Sequence, residues 1–592
     1  MKTQPLRTPL APTVTLALLA LVAIAKPYWA DPASDPRDDA SPWAMGSSAE
    51  WANQYPKFNP LLDQAGVKWL RLFPGWFTIE TQPGVFDWTG TDAILADAKQ
   101  NHLHILGTWV FFPKWASADG GYRRGPIKDM QFWRDYVTAS VTHCQKDIKY
   151  WEVWNEFNGG GFYQGVNKTK EYADLMVAAY DAAKKVDPTI KVGMSCANFD
   201  VNFFDAAIKA GAANHFDFIC VHPYENLGTL ADNPDGEINY LSMSATLRKM
   251  LADNNQPTDT PLWITEMGTQ TSTQPDPVKD AKQAETMAKG YLLSIAQGFQ
   301  RVFWFEARGP SYGHGTDFGL IREDWTTRPA YATYKTMTTL LGPEPKYLGW
   351  LNIDNGGYGF MFRGAKGNVL AAWANATGGQ KVKFDSDVHV IGLTGTDTPL
   401  PAGQDLALGH APVFITKAPD ALATEAQANS GKLFPWGGDY TNATSVSLKF
   451  GTNVDQGLKQ TGGDPFAIAN GLTDSWASTL LNGKISGMHM FRANSSFLAS
   501  NAKTLDITLV ARSADPVKPS TVKIYFYESA TGYKPPADAF WKVPPGDQWQ
   551  EHTWHVTDAN FVGQWGYNIA LETRDGTPCL LKELRVSKPA SP

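Results

Sequence analysis

Two carboxylates carry the chemistry available to this chain. Glu156 closes the segment YWEVWNEF and Glu266 closes LWITEMG, 110 residues further on. Arg71 in KWLRLF, Asn155 beside Glu156, and His222 and Tyr224 in CVHPY have types that could serve such a pair. Cleavage of a glycosidic bond needs one carboxyl that protonates the leaving oxygen and one carboxylate that meets the charge developing on the sugar. Arg71, with hydrogen bonds from His222 or Tyr224, is expected to hold the ionised partner, Glu266, leaving Glu156 for the acid role. A single strand-end glutamate usually caps a loop or pairs with a surface lysine. Two of them, each in a Trp-rich strand and accompanied by an arginine and His-Pro-Tyr, point to a site.

These residues need a scaffold that brings distant strand ends together. Short apolar, β-branched runs recur at Trp43–Ser47, Val67–Phe73, His104–Val110, Lys149–Asn155, Ile190–Cys196, Phe216–His222, Leu262–Glu266 and Val302–Glu306. Helical periodicity fills the intervals, as in Met130–Lys146, Lys170–Lys185, Tyr240–Asp253, Lys279–Gln297 and Ala330–Leu341. Eight β-α units in about 300 residues predict an α/β fold, a (β/α)8 TIM barrel, whose buried parallel strands read as continuous apolar runs and whose active residues sit at the strands' C-terminal ends. A doubly wound sheet would want a glycine-rich phosphate turn after its first strand, and Gly46-Ser47-Ser48 is not one. Asn155 and Glu156 are consecutive, so a regular strand would send them to opposite faces; for both to reach one ligand the strand must end irregularly.

WEVWNEFN and PLWITEMGT resemble the acid/base and nucleophile motifs of the clan A retaining glycoside hydrolases. The segments GVKWLRLFPGWFTIETQPGVFDW, ILGTWVFFPKWAS and VHPY are most similar to glycoside hydrolase family 39 and its relatives, over about 300 residues. The resemblance implies Glu156 as acid/base, Glu266 as nucleophile, Asn155 as partner of the sugar 2-hydroxyl, and Arg71, His222 and Tyr224 in support of the nucleophile. It also implies an aromatic beside the cleaved bond, for which Trp304 in VFWFEARG is the candidate; Trp76, Trp109 and Trp115 are further candidates for sugar contact or for packing. Glu152 is expected to be a buried structural charge paired with Arg71.

No cofactor or metal is called for. His102-Leu103-His104 lies at the entrance of a strand, the stability end of a barrel, with no second cluster to complete a metal set. Glu306, Arg308 and His314 are candidates for the pocket rim. Cys144, Cys196, Cys220 and Cys579 contain no C-x-x-C pair and read as buried thiols, with a Cys196–Cys220 disulfide as the alternative.

The 592 residues are 43% hydrophobic and 19% charged, which excludes a disordered chain. A net charge of −7 offers no basic field for nucleic acid, whereas 22 Trp, 21 Tyr and 30 Phe suit an oligo- or polysaccharide partner. Lys2 and Arg7 precede an apolar run from Thr13 to Ala25, too short to span a bilayer and suited to a cleavable signal, so a secreted or periplasmic location is expected, with no membrane span after cleavage. The expected domains are 1–30, signal and pro-region; 31–344, barrel; 345–420, small β-sandwich; and 421–592, a second β-sandwich like a carbohydrate-binding module. Asp420–Lys432 reads as a linker, and Trp541, Trp549, Trp554 and Trp565 are either core or binding aromatics of the last domain. The exported retaining glycoside hydrolase is thus the leading reading; the alternative is a non-catalytic carbohydrate-binding or adhesion protein on the same barrel. The sequence leaves the sugar, endo or exo action and oligomeric state open.

Overall fold

A computed structural model describes residues 40–47, 54–72, 75–118, 124–309, 316–451, 454–463, short strand segments between 467 and 485, 488–498, 503–574 and 577–589. The expected signal segment and His314 lie outside these residues. Eight parallel strands close into a barrel: β1 (Trp43–Gly46), β2 (Trp69–Leu72), β3 (His104–Trp109), β4 (Tyr150–Val153), β5 (Lys191–Ser195), β6 (Phe218–Val221), β7 (Leu262–Met267) and β8 (Arg301–Phe305). Val302 of β8 pairs with Trp43 of β1 and closes the ring. The helices that follow the strands are α1 (Tyr55–Gln64), α2 (Thr89–Gln100), α3 (Met130–Cys144), α4 (Lys168–Val186), α5 (Val201–Ala207), α6 (Tyr224–Asp232), α7 (Pro277–Ala296) and α8 (Pro329–Leu341). Gly236–Tyr240 and Met243–Asp253 add two more after α6. Side-chain caps fix several starts: Asp129, Asn167, Asp200 and Asp276 accept from backbone N–H groups of α3, α4, α5 and α7, and Pro277 occupies the first turn of α7, where no N–H is needed.

Alternation along the strands divides the aromatics between two shells. Ala44, Trp69, Leu106, Tyr150, Phe218, Cys220, Trp263 and Phe303 form one buried cluster inside the barrel. Arg301 lies over three of these rings, its guanidinium carbon 4.2 Å from the centroid of Trp69, 4.3 Å from Trp263 and 4.9 Å from Tyr150. Such contacts are worth about 2 kcal/mol each when desolvated, so a charge can be kept in an aromatic plug. Their strand neighbours point outward into the barrel-helix layer. Trp109 stacks on Trp151 there, centroids 4.7 Å apart and planes 5° apart. Gly107 makes room, because a Cβ at that position would lie 2.5 Å from the Trp151 ring.

After α8 the chain is antiparallel. A six-stranded sheet contains Lys346–Ile353, Gly357–Gly364, Gly367–Trp373, Val413–Thr416, Val388–Ile391 and Asp397–Leu400. The segment expected as a linker is largely a helix, Asp420–Asn429, lying on the first of these strands. It buries only Ala423 and Ala426, too little apolar bulk to register as a periodic stripe, and a Cβ on Gly349 would lie 1.8 Å from the Ala426 carbonyl oxygen. The unit begun at 345 therefore continues past 420. Beyond it, two sheets enclose a core that includes Trp541 and Trp554, both of which are buried. All four cysteines are free and buried. Among the described residues no helix is long and apolar enough to cross a membrane.

Candidate active site

The irregular strand end required at Asn155-Glu156 is present. β4 stops at Val153, after which Trp154 (φ 67°) and Glu156 (φ 51°) adopt the left-handed conformation. Such residues cost of order 1–3 kcal/mol and persist only where the surroundings over-determine them. Here the Trp154 N–H donates to the Trp109 carbonyl at 2.9 Å, its indole N–H donates to Phe162 O at 3.2 Å, and its buried ring packs on Phe112 and Trp133. The Ser195 hydroxyl bonds the carbonyls of Val153 (2.9 Å) and Trp154 (3.1 Å). The double reversal brings both Asn155 and Glu156 to the barrel mouth.

Arg71, from β2, lies buried beneath them. Its Nε donates to Glu152 at 2.6 Å, one terminal nitrogen to Glu266 Oε2 at 2.8 Å and the other to Asn155 Oδ1 at 3.0 Å. Burial opposes the charge of Arg71, but Glu152 and Glu266 more than restore it; for Glu152, likewise, burial favours the neutral form and Arg71 and His222 override it, holding the carboxyl below its usual range. Because Arg71 takes the Asn155 oxygen, the Asn155 NH2 group is left as a donor.

Tyr224, the first residue of α6, donates its hydroxyl to Glu266 Oε1 at 2.7 Å. Glu266 therefore receives one donor on each oxygen. His222 Nδ1 lies 3.1 Å from Glu156 and 3.9 Å from Glu266, while its Nε2 lies 3.1 Å from the Thr265 hydroxyl, which donates to Glu152 at 2.9 Å. Burial disfavours a charged imidazole, yet the nearby carboxylates of Glu266, Glu152 and Glu156 outweigh it and push His222 up to about 9. Thr265, adjacent to Glu266 in ITEMG, was not singled out in the sequence, nor was Glu225, whose buried carboxyl is pushed up to about 7 by burial and by Glu156.

Glu156, His222 and Glu266 each offer an atom within 4.8 Å of the others, a grouping that could in principle share a metal ion. Arg71 and Tyr224 already occupy Glu266, and a protonated imidazole has no lone pair to give. The arrangement suits a substrate that turns positive as it reacts.

The structure brings Arg71, Asn155, Glu156, His222, Tyr224 and Glu266 together, and the aromatic candidates not. Trp304 is fully buried on the helix-facing side of β8, its indole N–H directed to Phe318 O at 3.4 Å, so it offers no ring face beside the glutamates. Strand periodicity identifies alternating faces but not which of them turns inward. Trp109 is buried against Trp151, and Trp76 is buried between Tyr136 and its neighbours. Trp115 is half-buried and donates to the Glu80 carbonyl at 2.9 Å. Half-buried phenylalanines stand at the mouth instead: Phe318, edge-on to Tyr224, and Phe111, between Phe77 and Phe162. Glu306 is wholly buried, and Arg308 lies 4.2 Å over the Trp325 ring.

With this geometry in hand, known proteins bear on the barrel. The family described as "Glycosyl hydrolases family 39" matches residues 81–341. A β-xylosidase of Geobacillus stearothermophilus is 33% identical over 122 residues, 18% of this chain, and the match spans only 24% of that enzyme. A family 39 glycoside hydrolase from the gut symbiont Bacteroides cellulosilyticus WH2 superposes with a TM-score of 0.53 at 18% identity, over 64% of this chain and 81% of that one, which is a likeness of fold. Residues 81–341, most of the barrel, are thus similar to glycoside hydrolase family 39, and the barrel shares the fold of a solved member of that family.

Proposed function

We propose that the protein is an exported, retaining β-glycosidase acting on oligo- or polysaccharides, with Glu266 as nucleophile and Glu156 as acid/base. One observation carries the reading: oxygens of Glu156 and Glu266 approach within 4.8 Å across the mouth. Retaining enzymes hold their carboxyl groups about 5–5.5 Å apart, whereas inverting ones need roughly 6.5–9.5 Å to admit a water between them. In the first step Glu266 attacks the anomeric carbon as Glu156 gives its proton to the departing oxygen. Arg71 and Tyr224 hold the attacking carboxylate in place, each using one lone pair and leaving another on the attacking oxygen. The Asn155 amide is free to donate to a sugar hydroxyl. In the second step Glu156, now ionised and steadied by His222, takes a proton from water, which attacks the anomeric carbon and releases Glu266.

The Geobacillus relative is a β-xylosidase, so β-xylosides are the first substrates to try. Export is proposed from Lys2, Arg7 and the apolar Thr13–Ala25 run. The deciding experiment is turnover of a panel of aryl β-glycosides, with the anomer of the first-formed sugar read by proton NMR. Release of the β anomer supports the proposal. Release of the α anomer overturns retention, and sugar binding without turnover favours the non-catalytic alternative.

A further inference from the structure

The C-terminal sandwich is fixed to the catalytic face of the barrel. Asn202, in the first turn of α5, donates to Ser529 O at 3.2 Å and accepts from Asn560. The buried Arg492 reaches Asn226 of α6 at 2.9 Å and Ser242 at 3.1 Å. Helices α5 and α6 start where β5 and β6 end, so their first turns form the rim on that side, and Tyr224 begins α6. Residues 560–567 of the sandwich meet this rim. Gly566 (φ 79°) passes so close to α6 that a Cβ would lie 2.8 Å from Thr229 Oγ1 and 3.5 Å from Glu225 O, and Val562 packs against the barrel core.

The loop is held rigidly and displays an aromatic ring. The buried Glu528 carboxylate accepts from Gly563 N (2.8 Å), Gln564 N (2.9 Å) and Asn568 Nδ2 (2.7 Å). Trp565 is 41% exposed and lies parallel to Tyr533, centroids 4.5 Å and planes 4° apart, with its backbone N–H on the Tyr533 hydroxyl at 3.3 Å. Tyr533 is itself tied to Tyr567 O at 2.5 Å. One face of the indole is thus covered and fixed, and its exposure belongs to the other face and edge. A flat, preorganised, uncharged ring at the rim of a sugar-cleaving site matches the apolar face of a pyranose. Among the other described tryptophans of the sandwich, Trp541 and Trp554 are core and Trp549 sits between Arg512 and Lys582, whereas Trp565 adjoins Gly566, which touches α6 of the barrel.

We infer that Trp565, backed by Tyr533, is a sugar-stacking subsite that extends the cleft beyond the β5–β6 rim, and that the substrate is a glycan chain of several pyranose units. The inference rests on the glycosidase reading for its ligand class, but it is tested by binding and so fails separately. Full-length Glu266→Ala protein, with and without Trp565→Ala, is titrated calorimetrically with di- and hexasaccharides of β-1,4-linked xylose, glucose, mannose and galactose. Expected is a hexasaccharide that binds more tightly than its disaccharide, with this affinity ratio falling about tenfold in the Trp565→Ala background. Phe540→Ala, which removes a 57% exposed ring elsewhere on the sandwich, keeps the ratio. No hexasaccharide preference, an unaltered ratio in Trp565→Ala, or an equal fall in Phe540→Ala overturns the subsite. Turnover of aryl glycosides by the wild-type protein reports on the glycosidase reading independently.

Discussion

Arg71 and Glu152 face each other at 2.6 Å with neither side chain open to solvent, directly beneath the two mouth glutamates. The pair anchors a guanidinium whose other nitrogens reach Asn155 and Glu266, so one buried charge positions three strands at once.

Arg71→Met should therefore cost more than an ordinary core change. It strands Glu152 without its cation, and breaking a buried pair from one side costs about 3–5 kcal/mol. Arg71→Lys keeps the charge but loses the fork that reaches three acceptors. Urea unfolding should show the large loss for Met and a smaller one for Lys, while both variants lose turnover. A Lys variant with wild-type kcat would show that the fork does not position Glu266.

Azide separates the roles proposed for the two glutamates. Glu266→Ala should lose at least about 10^4-fold in turnover, and azide should restore it by giving the α-glycosyl azide. Glu156→Ala should lose about 10^2–10^4-fold, least for substrates with good leaving groups, and azide should give the β-glycosyl azide. NMR of the azide products checks both, and exchanged anomers would exchange the roles.

His222 makes stability fall on the alkaline side. Its folded value, about 9, lies above the usual 6.5, so the stabilisation is fully present below about pH 6.5 and is lost as pH rises through about 9. Glu225, raised to about 7, loses its share earlier, between about 4.5 and 7. Between pH 7 and 9.5 the wild-type protein should lose about 2 kcal/mol more than His222→Asn. Denaturant titrations at the two pH values measure this difference, and equal losses would remove His222 as the cause.

Arg492 joins the sandwich to the rim. Arg492→Met leaves Asn226 and Ser242 without their donor and Glu528 without its neighbouring cation. The expected result is about 2–4 kcal/mol of destabilisation and a calorimetric transition that splits into barrel and sandwich steps. A single unshifted transition would show that the domains are held elsewhere.

The barrel and the polar site were legible because both are written in local signals: buried parallel strands as apolar runs, and functional groups as the polar residues that end them. The faces of the strands were not. Trp304 and Trp109 lie at the expected strand ends yet point outward, because alternation has a period but no absolute phase in the sequence. The helix at Asp420–Asn429 escaped for the opposite reason: its contact face is two alanines against Gly349, a packing made by the absence of side chains. Thr265 escaped because a hydroxyl linking His222 to Glu152 has no sequence signature of its own.

The aromatic plug around Arg301 gives the catalytic cup a floor. Trp69, Tyr150, Phe218, Trp263 and Phe303 are buried together inside the barrel, on the far side of Arg71 and Glu152 from the mouth. In the proposed double displacement, a floor of this kind leaves the mouth as the way in for water and for acceptor sugars alike, so the residues that wall the mouth set the balance between hydrolysis and transfer.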